Sequence, residues 1–249
     1  MVVLGGFYVV MILLMVLADF AYTDLESLKR TLSEPEIQYS LKLSLLSCTL
    51  STLMSLVVAV PIGYIMSRFT FRGQSVVDAI LDIPIVLPPL VVGISLLVLF
   101  NYPPFHWLSR WVVFEVPAVV LAQFMVACAF AVRTMRVSFD QIPVRFEQVA
   151  LTLGCNRSQA FWLVVFPQSR RGLLAAGTLA WARSLGEFGP ILVFAGSTRM
   201  RTEVLPTSVY LEMQSGDLKG MLSVSILMIA LSATVLILAR ALGMQRINA

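Results

Sequence analysis

Hydrophobic positions run in long blocks along this chain, not in the alternation of a half-buried strand or the one-sided stripe of a soluble helix. Residues 1–18, 43–67, 83–109, 116–132 and 220–239 contain no charged side chain. A sixth apolar block, 172–198, is interrupted only by Arg183 and Glu187. About 20 apolar residues carry a helix across the hydrocarbon core of a bilayer. The blocks therefore predict six membrane spans in one all-α domain covering residues 1–249. The first block lacks the basic start and small-residue cleavage site of a signal peptide, so it is read as a retained span.

Charge placement orients these spans. Arg68, Arg72, Arg133, Arg136, Arg145, Arg157, Arg170, Arg171, Arg240 and Arg246 fall on one side, and Lys29, Arg30, Lys42, Arg110, Arg199, Arg201 and Lys219 on the other. The second side also holds most of the acids, including Asp24, Glu36, Glu115, Glu203, Glu212 and Asp217. The arginine-rich side is expected to be cytoplasmic, with both termini inside.

Composition agrees: 58% of residues are hydrophobic and 13% charged, against about 25% charged in a soluble domain. The net charge of +4 is spread without a basic block, which disfavours a nucleic-acid partner. Cys48, Cys128 and Cys155 have no metal spacing and read as small apolar fillers. His106 is the single histidine, and no P-loop or His-Glu-x-x-His pattern occurs. The chain is expected to be non-catalytic and to bind no cofactor or metal.

Two intramembrane stretches stand out. In "LDIPIVLPPLVVGI", Pro84, Pro88 and Pro89 each lack an N–H and disfavour helix just before them. Either the helix kinks and lines a pathway, or a helix start is followed by an ordinary bend. In "ARSLGEFGP", Arg183 and Glu187 share a helix face, and Gly186 and Gly189 flank Phe188. Either the two charges lock helix packing, or their face borders a translocation path. For an anionic solute Arg183, not Glu187, is the expected contact.

A third stretch, "EQVALTLGCNRSQAFWLVVFP" (residues 147–167), is too short and too polar at its start to be a span. Phe146, Val149, Ala150 and Leu153 fall at helical spacing and predict a short amphipathic helix ending at Gly154. Ser158 is the expected cap of a second helix through "QAFWLVVF". The pair either lies on the membrane surface or presents a ridge to a partner groove.

Glu147-Gln148-Val149-Ala150, Leu153-Gly154, Phe161 and Phe166-Pro167 together resemble the EAA loop of ABC importer permeases. Aligned on Gly154, the three EAA positions are Gln148, Val149 and Ala150, with Glu147 one place earlier. "SRFTFRGQSVVDAILDIPIVLPPLVVGI", "ARSLGEFGPILVFAG" and "RTEVLPTSVYLEMQSGD" are similar to the branch that imports molybdate, tungstate or sulfate.

The resemblance implies a six-helix type I importer permease in a prokaryotic cell membrane, with a cytoplasmic coupling segment at about residues 140–168. It implies three partners: a cytosolic ATPase dimer carrying ATP and Mg, a second permease copy, and an extracytoplasmic oxyanion-binding protein. Phe146, Glu147, Gln148, Val149, Ala150, Leu153 and Gly154 would couple to the ATPase. Pro88, Pro89, Arg183, Gly186, Glu187, Phe188 and Gly189 would border the path or its gate. Arg199, Arg201, Glu203 and Lys219 would meet the binding protein at its polar rim. A permease for another small solute, or an ATP-independent secondary transporter, are the alternatives.

Overall fold

A computed structural model describes residues 2–244, all of whose regular elements are helical. Met1 and Arg246, which entered the span and orientation readings, lie outside the described residues. In chain order the helices are α1 (Val2–Tyr22), α2 (Leu25–Ser33), α3 (Pro35–Arg68), α4 (Gln74–Val86), α5 (Pro89–Asn101), α6 (His106–Val112) and α7 (Val116–Asp140). There follow α8 (Arg145–Thr152), α9 (Arg157–Ala160), a π-helical turn (Phe161–Val165), α10 (Phe166–Gln168), α11 (Arg170–Leu185), α12 (Gly189–Phe194), α13 (Leu205–Ser215) and α14 (Leu218–Met244).

Four helices, α1, α3, α7 and α14, are individually long and apolar enough to cross a membrane. The other two predicted spans are not continuous helices. The 83–109 block is divided among the end of α4, α5 and the start of α6, and α4 and α5 are bent by 111° at Leu87–Pro88. Pro88 and Pro89 supply no N–H there, and Leu87 takes the extended backbone favoured before proline. The 172–198 block is divided into α11, of 16 residues, and α12, of 6. The break falls at Gly186–Phe188, just before Pro190 in the first turn of α12. Prolines and glycines thus turn two of the six predicted spans into broken ones.

The centre of the bundle is α3 against α7. At 34 residues α3 is about 50 Å long, more than the ~30 Å hydrocarbon core requires. Its buried face reads Ser40, Ser44, Ser47, Ser51, Ser55, Ala59 and Gly63, steps of three or four that form one stripe. Small residues let helices approach closely in a membrane, where apolar burial gives no drive to associate. The hydroxyls also bond to other segments: Ser51 Oγ reaches Ser184 Oγ on α11 at 2.9 Å, and Ser44 Oγ accepts from Leu205 N–H at 2.8 Å.

The charged residues segregate to the two ends of the bundle as the sequence predicts. Ion pairs join Arg68 to Glu147, Arg133 to Asp82 and Arg136 to Asp78 toward one end. At the other end they join Arg199 to Glu36 and Glu212, Arg201 to Glu115, and Lys219 to Asp24.

Candidate functional site

The short helix after α7 stands at the arginine-rich end. Val149, Phe146 and Leu153 are 55%, 47% and 80% exposed, whereas Ala150 is buried. The predicted amphipathic face therefore splits: Ala150 packs inward, and the three larger residues form a stripe turned away from the bundle. Gln148 is exposed beside them. Phe146, Val149 and Leu153 thus form a row of exposed apolar groups at this end.

The end of α8 follows the glycine rule. Gly154 has φ +93°, a conformation that other residues adopt only at a cost. Cys155 N–H donates to Ala150 O, and Gly154 N–H to Leu151 O, each at 3.1 Å. Those are the two bonds of a Schellman motif. The cap of α9 differs from the expectation of Ser158. Asn156 takes the role instead, its side chain accepting from Gln159 N–H while the Gln159 side chain accepts from Asn156 N–H, each at 2.8 Å. This reciprocal box satisfies both donors, which a lone Ser158 one residue inside the helix cannot do.

Glu147 does not share the outward stripe. Its carboxylate is ion-paired with Arg68 and accepts a 2.8 Å hydrogen bond from the Tyr64 hydroxyl, both on the last turns of α3. Arg68 also donates to Ile142 O at 2.9 Å, between α7 and α8. The Arg68 and Glu147 side chains are only 6% and 12% exposed. Beside them Tyr64 meets Phe161 and Phe139 edge-on, with ring centres 4.7 and 5.7 Å apart. An ion pair and an aromatic cluster together fasten α8 and the π-helical turn to α3 and α7. The pairing of Glu147 with Arg68 and Tyr64 escaped the sequence reading because the partners lie 79 and 83 positions away.

The two irregular intramembrane stretches meet. A β-carbon on Gly189 would lie 3.0 Å from Leu90 N and 3.1 Å from Pro89 Cβ. One on Gly93 would lie 2.8 Å from Pro190 Cα. The start of α5 and the start of α12 thus cross backbone to backbone, glycine against proline in both directions. Pro88 lies at that junction as the residue preceding α5.

Next to this crossing Glu187 is buried, and Arg183 Nη1 lies 3.1 Å from its Oε2. The approach misses hydrogen-bond geometry and leaves Oε2 in charge contact only. The partly exposed Arg183 guanidinium also lies 5.7 Å from the Phe130 ring centre. Phe188 packs on Tyr210 at 5.4 Å, and Gly186 is exposed.

At the opposite end, all four rim candidates have partners within the chain. Arg199 is shared between Glu36 and Glu212, Arg201 pairs with Glu115, and Lys219 Nζ reaches Asp24 at 2.6 Å. Glu203 is fully buried and accepts from Ser208 Oγ at 2.8 Å. Burial pushes its carboxyl above the usual glutamate range, against the opposing pull of that bond and of Arg199.

A family model described as "Binding-protein-dependent transport system inner membrane component" matches residues 59–247. The molybdate/tungstate transport system permease protein WtpB of Pyrococcus furiosus is 36% identical over 195 residues, 77% of this chain and 75% of its own length. The molybdenum transport system permease protein ModB of Escherichia coli is 34% identical over 208 residues, 81% of this chain and 90% of its own. The sulfate transport system permease protein CysT of Escherichia coli is 29% identical over 82% of this chain and 76% of its own.

Among solved structures, a bacterial alginate ABC transporter in complex with alginate pentasaccharide-bound periplasmic protein gives a TM-score of 0.76. It covers 98% of this chain and 91% of its own, at 14% identity. An inward-facing MetNI methionine ABC transporter gives 0.68, over 85% of this chain and 97% of its own, at 17% identity. At those identities the likeness shows the fold, which is that of an ABC importer permease. The chain belongs to the family of binding-protein-dependent transport system inner membrane components.

Proposed function

We propose that this chain is the permease subunit of an ATP-driven importer for a tetrahedral oxyanion, of the molybdate, tungstate and sulfate class. The substrate class rests on the relatives' names and on their identity over most of the chain. The observation that carries the mechanism is the outward apolar stripe of α8, Phe146, Val149 and Leu153, on a helix fastened to α3 through Glu147.

In this reading the arginine-rich end is cytoplasmic. A separate ATPase dimer, holding ATP and Mg, receives the α8 stripe in a surface groove. Closure of that dimer pushes α8. The Arg68–Glu147 pair and the Tyr64 cluster pass the push to α3, and packed helices move between two rigid arrangements. A second copy of the chain completes the core by twofold symmetry. The α5–α12 crossings of the two copies then flank a shared path, with Arg183 the cation nearest the break. An extracytoplasmic binding protein delivers the anion at the opposite end, where Arg199, Arg201 and Lys219 supply the charged rim.

The test is co-purification with the ABC ATPase of the source cell. Wild-type chain should bring it down, and Leu153→Arg should not, while the variant still reaches the membrane at a normal level. Undiminished ATPase association by a Phe146→Arg, Leu153→Arg chain overturns the docking assignment. Uptake assays with molybdate, tungstate and sulfate, each with the cognate binding protein, then test the anion.

A further inference from the structure

On the outer side of α3 a cavity of about 730 Å³ opens between that helix, the π-helical turn and α11. Its wall is almost entirely apolar, with Leu53, Val57, Val60 and Ile65 along α3 and Trp162 facing them. Val57 is 74% exposed and Trp162 57% exposed, so none of the described residues covers them. From Leu53 to Ile65 the helix rises about 18 Å, a little more than half of the ~30 Å hydrocarbon core. The cavity is therefore about as deep as one leaflet.

Its mouth carries the only polar features of the lining apart from Tyr64: Arg157 and Ser158. The Arg157 guanidinium lies 5.7 Å from the ring centre of Phe69, the residue that follows the last turn of α3. Among the described residues Arg157 has no carboxylate ion-pair partner. Glu147, which lines a neighbouring pocket together with Arg157, is held by Arg68 and Tyr64. An unneutralised arginine at the surface end of a leaflet-deep apolar cavity matches one chemistry: a phosphate carrying an acyl chain. Basic pockets between membrane helices hold anionic lipid headgroups in this way.

We propose that this cavity is a binding site for an anionic membrane phospholipid, with the acyl chain along Leu53–Ile65 and the phosphate on Arg157. An exposed tryptophan at the same level fits the interfacial depth at which indole rings settle. The site is independent of which anion is transported and of how α8 engages an ATPase. Since it sits between α3 and the π-helical turn, the bound lipid would become part of the wall that joins them.

Trp162 makes the site observable. The chain has four tryptophans. Replacing Trp107, Trp111 and Trp181 with Phe leaves Trp162 as the only indole in the full-length chain. Reconstituted in phosphatidylcholine vesicles, it should be quenched by a few mole per cent of brominated phosphatidylglycerol about fivefold more effectively than by brominated phosphatidylcholine. Arg157→Gln should erase that preference, and Arg157→Lys should keep most of it. Equal quenching by the two lipids, or a preference that survives Arg157→Gln, overturns the proposal.

No quenching by either lipid also overturns it. That result points to a second copy of the chain in the cavity, which a Val57→Cys cross-link between copies would report. If the three-Phe chain does not fold, native mass spectrometry of the delipidated wild type supplies the same reading. Phosphatidylglycerol adducts should persist on wild type and be lost on Arg157→Gln, and equal retention on both overturns the assignment.

Discussion

Gly189 and Pro89 touch so closely that no β-carbon fits between them: one built on Gly189 would stand 3.1 Å from Pro89 Cβ and 3.0 Å from Leu90 N. The neighbour on one side is backbone, which cannot swing away as a flexible side chain can. Gly189→Ala is expected to push α5 and α12 apart and to cost about 1–3 kcal/mol, the usual range for overpacking. Gly93→Ala, facing Pro190 Cα at 2.8 Å, should behave alike. Gly186→Ala is the control, since its nearest neighbour is 3.8 Å away and the site is exposed. Thermal unfolding in detergent should fall for the first two and hold for the third. Equal melting of all three would show that the crossing is looser than these distances.

The Arg68–Glu147 pair invites a charge exchange. Removing one partner of a well-buried pair costs about 3–5 kcal/mol, because the other charge is left without compensation. At 6% and 12% exposure this pair is near that regime. Arg68→Gln and Glu147→Gln should each loosen α8 from α3, seen as faster proteolysis between Gln141 and Cys155. In the assembled importer they should raise the ATP hydrolysed per anion carried. The Arg68→Glu, Glu147→Arg double variant should recover part of that ratio. A ratio unchanged in all three would mean that the pair carries no motion.

Much of the architecture is legible in the apolar blocks, because a membrane imposes a length on each helix. Four of the six predicted spans are continuous helices. The prolines at 84, 88 and 89 flagged an irregular third span, yet not its partner. That Gly93 faces Pro190 and Gly189 faces Pro89 is a tertiary fact with no local pattern. The serine stripe of α3 went unread, although Ser40, Ser44, Ser47, Ser51 and Ser55 recur at three- and four-residue steps. The Glu147 stretch was legible as a helix pair from Gly154 and the apolar spacing. Its anchor was not, because four helices, α4 to α7, lie between Tyr64 and Arg68 and the Glu147 stretch in the sequence. Asn156 was passed over for Ser158 because both are good caps, and only the Gln159 side chain decides between them.

Gly154 tests whether the α8 end is built by conformation or by contact. Nothing lies within 4 Å of where its β-carbon would stand, so packing places no limit on a larger residue. The φ of +93° does. Gly154→Ala should therefore cost about 1 kcal/mol through backbone strain alone. Gly154→Asn should cost less, because asparagine tolerates the left-handed region better. Measured by thermal unfolding, the order Gly, Asn, Ala supports the Schellman terminus. If Ala melts with the wild type, the turn has relaxed to another geometry and α8 ends differently.

Glu203 gives the opposite end of the bundle a pH dependence with a definite sign. Burial lifts its carboxyl above the usual glutamate range; Ser208, Arg199 and the Met200 backbone oppose the lift, and Glu212 adds to it. In the unfolded chain the group ionises near ~4.3. Between that value and the raised one, the fold holds a proton that the unfolded chain has released. The stabilising contribution is thus complete at pH below ~4.3 and is lost as pH rises through the folded-state value. Glu203→Gln keeps an oxygen for the 2.8 Å bond from Ser208 and removes the charge. The variant should melt no lower than wild type at pH 7 and should show a flatter melting profile from pH 4 upward. A profile with the wild-type slope would show that Glu203 is not the group responsible.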